Sequence, residues 1–109
     1  MSERMERAME AAKSCWKKAL EQEPGFVEAY FRHCENLLCC HTEISGDQFT
    51  KYCRRQGLVL PTGLHHNTWV SGVSAMEDAG WITKIGKVVP TEMQNHMPVV
   101  TRWKSNVTF

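Results

Sequence analysis

Apolar residues recur at helical spacing from the start of the chain. Met5, Met9, Ala12, Trp16, Ala19 and Leu20 stand among Glu, Arg and Lys over residues 3–22, a stretch without Gly, Pro or Thr. This spacing predicts one amphipathic helix with a single narrow apolar stripe. Glu23-Pro24-Gly25 ends it, because a proline pushes the residue before it out of helical backbone and the glycine loosens the chain beyond. A second helix is expected from Phe26 to His41, with Val27, Tyr30, Phe31, Cys34, Leu37, Leu38 and His41 on one face. It is the most apolar segment and should form the centre of the core. Thr42-Glu43-Ile44 then makes an extended stub. Ser45 with Gln48 three residues on has the spacing of a capping box, which places the start of a third helix. That helix should bury Phe49, Tyr52 and Cys53 and end at Gly57.

Leu58 to Leu64 contains Pro61 and Gly63, so it connects helices rather than continuing one. His66-Asn67-Thr68 offers polar cap residues for a fourth helix, in which Trp69, Val73, Met76 and Ala79 share a face and Gly80 supplies the stop. The remaining stretch is rich in Val, Ile, Thr and Trp and is interrupted by Gly86, Pro90, Asn95 and Pro98. It predicts two strands, about 81–85 and 99–104, joined by a long loop. This order of elements has one compact solution: an α+β, mainly helical winged helix-turn-helix with an extra N-terminal helix and a C-terminal two-stranded β-ribbon. Residues 1–109 form one domain, with 1–24 as the helical extension and 25–105 as the winged-helix core. The expected core is Phe31, Leu37, Leu38, Ile44, Phe49, Cys53, Trp69, Val73, Met76, Ile82, Val99 and Trp103. The 66–79 helix takes the recognition position, and residues 86–98 form the wing.

Composition agrees with a single ordinary domain: 109 residues, 42% hydrophobic and 23% charged. No apolar run approaches the roughly 18 residues that span a bilayer, and the charged start is unlike a signal peptide, so a cytoplasmic protein with no membrane partner is expected. The five cysteines, Cys15, Cys34, Cys39, Cys40 and Cys53, suit reduced thiols acting as small hydrophobes.

Charge adds more. The net of +1 averages two unlike halves: residues 1–50 carry six basic and nine acidic groups, a net of −3, and residues 51–109 carry seven basic and three acidic groups, a net of +4. A solvated surface with a chance imbalance accounts for this, and so does a polyanionic or acidic partner on the C-terminal side. A helix-turn-helix would bind double-stranded DNA with its second helix in the major groove and cations on the phosphates. The residues placed for this are His66, Asn67, Ser71 and Ser74 on the fourth helix, Lys51, Arg54 and Arg55 beside it, and Lys84, Lys87, Arg102 and Lys104 on the ribbon. Against it, the fourth helix holds no Lys or Arg and carries Glu77 and Asp78 near its end. Winged helices also serve as protein-protein adaptors, the alternative partner class.

The stretch from Pro61 through His66-Asn67-Thr68-Trp69, then Ala75 to Gly80-Trp81-Ile82, a wing, and Trp103-Lys104-Ser105 resembles small winged helix-turn-helix proteins of phages and prophages. Those often show a proline, a polar pair, Ala-Trp-Gly, a helix ending in Gly-Leu-Ile and a closing Val-Trp-Arg-Ser. The resemblance covers about residues 42–105. Thr68-Trp69-Val70 stands where that family tends to have Ala-Trp-Gly.

Other chemistry is thin. The sequence contains no Gly-rich nucleotide loop, no nucleophile elbow, no H-E-x-x-H and no paired C-x-x-C, and a non-enzymatic protein without cofactor is expected. His33, Cys34, Cys39, Cys40 and His41 are dense soft ligands, but their spacing does not suit a tetrahedral zinc site, and no metal is expected. Cys53 with His65 or His66 could meet across the turn as a thiol–imidazole pair, with core packing as the plainer account of Cys53. The stripe of the first helix suits either a homodimer through that helix or packing on the second helix of its own domain.

Overall fold

Three of the helix starts among the described residues are set by short polar or proline signals. The computed structural model describes residues 2–88 and 100–107. Ser2 accepts the Met5 N–H on its hydroxyl at 3.2 Å, and α1 runs Glu3–Cys15 with Glu3 and Glu6 at its positive end. Pro24, expected only as a stop, also begins the next long helix. It is the first residue of α3, Pro24–Cys40, where its missing N–H has no intrahelical role.

The single helix expected over residues 3–22 is broken at Trp16, whose φ of −138° and ψ of 36° leave the helical region. Helix α2 resumes over Lys17–Gln22. The break sacrifices little bonding, since Trp16 N–H still reaches Ala12 O at 2.8 Å and Leu20 N–H reaches Trp16 O at 3.0 Å. In return the indole lies edge-on to Phe26, Tyr30 and Phe31, with centroids 5.8, 5.0 and 5.9 Å away. Periodicity could not reveal this, because both halves keep the same apolar stripe.

The stub becomes a strand. β1, Glu43–Ser45, pairs antiparallel with β3, Val100–Ser105, which also pairs with β2, Ile82–Val88, giving the order β1-β3-β2. The two-stranded ribbon expected from the sequence is therefore three-stranded among the described residues, with Ile44 opposite Trp103 and Ile82 opposite Ser105. Between β1 and β2 lie α4, Gly46–Arg55, and α5, Thr68–Asp78. At the start of α4, Gln48 reaches back and accepts the Ser45 N–H at 2.8 Å, as its spacing predicts. Helix α5 ends in a Schellman turn: Gly80 takes φ +81°, its N–H reaches Glu77 O at 3.0 Å, and Trp81 N–H reaches Met76 O at 2.9 Å.

Nine of the twelve expected core residues are buried, among them Phe31, Leu38, Phe49 and Met76. Leu37 and Val73 are only partly buried, at the margin of the core. Val99 and residues 89–98 of the expected wing lie outside the described residues. Beyond those twelve the core also takes in Tyr30, on the face expected to be buried, and Trp81 and Val107. Met5, Ala8 and Ala12 of α1 are buried within the chain, where α1 packs on α5 as well as α3. The stripe considered for a homodimer is thus largely covered within the chain itself. No helix among the described residues is long and apolar enough to cross a membrane.

Candidate nucleic-acid interface

The outer face of α5 and its approach carry Asn67, Val70, Ser74 and Glu77, at spacings of three or four residues, and all four are exposed. Asn67 is the residue before the helix; its side chain makes no capping bond, leaving the amide available. Its backbone N–H donates to His65 Nδ1 at 3.1 Å, which makes that nitrogen an acceptor. His66 is exposed and stacks on His65 with ring centroids 4.1 Å apart. Ser74 lies on the outer face, but Ser71 is half-buried at its flank. Of the two acids that weigh against an anionic partner, Asp78 is engaged with α1, accepting the Cys15 thiol at 2.9 Å. That hydrogen bond, with burial and the carboxylate charge, raises the thiol above its ordinary value. Glu77 remains on the outer face.

Helix α4 supplies cations beside the first turn of α5. The Arg54 guanidinium sits 5.9 Å from the centre of the Trp69 ring, a cation–π contact between the two helices. Arg55 is exposed and has no acidic partner among the described residues. Lys51 pairs with Asp47 one turn back at 3.0 Å. Burial on its own would raise the Asp47 carboxyl. Hydrogen bonds from Lys51 and Ser45, with the Lys51 charge, outweigh it and hold the carboxyl below its ordinary value.

The ribbon carries the rest. Arg102 and Lys104 alternate with Trp103 on β3 and so lie on the outer face of the sheet, where Arg102 Nε meets Glu43 Oε1 at 3.1 Å. Lys84 is exposed on the edge strand β2; Lys87 belongs to the same strand, and its side chain lies outside the described set. The N-terminal end of α4 abuts this sheet, since a Cβ at Gly46 would stand 3.6 Å from Thr101 O. The α4 cations are therefore joined to α5 through Arg54 and Trp69 and to the ribbon through Gly46, while Arg102 is partly neutralised by Glu43. The Arg54–Trp69 contact and the Glu43 pairing left no trace in local sequence, because each joins residues whose proximity depends on the tertiary fold.

The thiols and imidazoles do not converge. Cys53 is buried against Cys34, whereas His65 and His66 are exposed, so the thiol–imidazole pair considered from the sequence does not meet. In the 33–41 cluster, His33 lies against Tyr52, His41 Nδ1 is 3.0 Å from Leu37 O, and Cys40 is exposed. Among the described residues no three His, Cys, Asp or Glu side chains are grouped as metal ligands would be. No family model, curated protein or solved structure matches the chain.

Proposed function

We propose that the chain is a cytoplasmic winged helix-turn-helix domain of the phage and prophage kind, non-enzymatic, that binds double-stranded DNA. The observation that carries this reading is Arg54 held over Trp69, which keeps a cation beside the first turn of α5 where a phosphate would lie. The strand order β1-β3-β2 around α4 and α5 supports the fold part. In this reading Arg54, Arg55 and Lys84 contact the backbone, while His66, Asn67 and Ser74 approach base edges. With no cation on α5 itself, most affinity is electrostatic and sequence-tolerant.

A protein adaptor of the same fold is the second reading. It is favoured by Val70, 65% exposed in the middle of the α5 outer face beside Glu77. Titration of labelled generic duplex across a salt series decides between them. The DNA reading expects binding at low salt, with Arg54→Ala/Arg55→Ala weakening it and lowering the slope of log affinity on log salt by about 2. No binding at low salt, or an unchanged slope, would leave the adaptor reading.

A further inference from the structure

Cys34 of α3 and Cys53 of α4 meet in the core with their sulfurs 3.9 Å apart, and both are fully buried. The other thiols face elsewhere: Cys15 donates to Asp78, Cys39 lies against the Val107 carbonyl, and Cys40 is exposed. Beside the pair, the rings of His33 and Tyr52 stand 6.5 Å apart, so successive residues of both helices pack across the same contact. A disulfide holds its sulfurs about 2.05 Å apart, so closure needs an approach of about 1.9 Å.

We propose that Cys34 and Cys53 are a disulfide-forming pair, oxidised by hydroperoxides to a bond that ties α3 to α4. In the first step one sulfur, as thiolate, attacks an oxygen of hydrogen peroxide. The O–O bond breaks, hydroxide leaves and becomes water with the proton shed by that thiol, and a sulfenic acid remains. The second sulfur then attacks the first, the S–S bond forms, the S–O bond breaks, and hydroxide leaves as water with the second thiol's proton. Two thiols lose two hydrogens in all, and the peroxide is reduced to two waters. Burial pushes the Cys34 thiol well above its ordinary value, so the thiolate is scarce while the helices are closed. Oxidation therefore waits on local opening between α3 and α4, and a reducing compartment keeps the pair as thiols. The bond would fix the helix that carries Arg54 and Arg55, although the proposal stands independently of DNA binding.

The test is to expose the folded full-length protein to hydrogen peroxide, alkylate remaining thiols in denaturant and map the peptides by mass. A linked pair of peptides holding Cys34 and Cys53, lighter by two hydrogens and separated again by dithiothreitol, is expected, together with a higher melting temperature for the linked form. Cys40→Ser should leave the link in place and Cys53→Ser should remove it. Recovery of both residues as alkylated thiols or as sulfinic acids, or linkage of either to Cys15, Cys39 or Cys40, overturns the proposal. Should Cys53→Ser not fold, the wild-type and Cys40→Ser maps still decide.

Discussion

At Gly72 a missing methyl group lets α5 close on the aromatic centre of the molecule. A Cβ there would lie 2.6 Å from Tyr30 Cε1, 2.8 Å from Tyr30 Cζ and 2.9 Å from Trp16 Cη2. Both rings are buried among Phe26, Phe31 and Trp69 and have nowhere to retreat. Alanine normally gains up to about 1 kcal/mol over glycine inside a helix. Gly72→Ala should instead lose about 1–2 kcal/mol in urea unfolding, because overpacking outweighs propensity; an equal or higher stability would contradict the contact. Asp47 gives a second test at this scale. Its carboxyl is held below the ordinary value, so its contribution is present above the ordinary carboxylate range and is lost as pH falls through the folded value. Asp47→Asn should therefore cost about 0.5 kcal/mol at pH 7, and its gap to the wild type should close once the pH is below the folded value. Unfolding curves at the two pH values check both the size and the sign. Gly72 was visible in the sequence as a glycine within an apolar helical pattern, but what it admits was not, since Trp16 and Tyr30 belong to other parts of the chain.

Among the elements, those with a local signature were legible and those defined by a distant partner were not. Helix α4 followed from Ser45 and Gln48, and the end of α5 from Gly80, because a capping box and a left-handed stop are written within a few residues. Gln48→Ala should cost about 1 kcal/mol in thermal or urea unfolding, while Gln48→Glu, which keeps an acceptor at the positive end of the helix, should cost little. The stub was legible as extended backbone but not as a paired strand, because Glu43–Ser45 is only three residues long and its partner β3 begins at Val100. The break at Trp16 escaped notice for the opposite reason. Its own neighbours favour continuous helix, and only the ring packing on Phe26, Tyr30 and Phe31 overrides them. The candidate interface was legible as a set of residue types on α4, α5 and the ribbon, whereas the tie from Arg54 to Trp69 and from Arg102 to Glu43 required the fold.

For the whole molecule, the charge imbalance between halves mirrors the architecture. The acidic first half supplies α1 to α3, where ion pairs such as Arg7–Glu3 at 2.8 Å and Arg4–Glu35 at 3.1 Å offset part of the charge, and the basic second half supplies most of the candidate interface. The N-terminal helices contribute to the core: Met5, Ala8, Ala12, Trp16 and Ala19 are all buried. A chain lacking residues 1–23 should lose its cooperative thermal transition, and a sharp transition with dispersed amide resonances would show that α3 to β3 stand alone. The opposite end is anchored to the same place. Ser105 donates to Leu38 O at 2.9 Å, Asn106 N–H reaches Trp81 O at 2.9 Å, and Trp81 Nε1–H reaches Arg4 O at 3.2 Å. One tryptophan thus bonds to residues 4 and 106, which lie near the two ends of the described chain. A short linker could join those ends, with new ones cut at the exposed Thr62-Gly63, and the circularly permuted chain would have the same core to fold around. The same closeness would let the domain sit within a surface loop of another protein without forcing that loop apart.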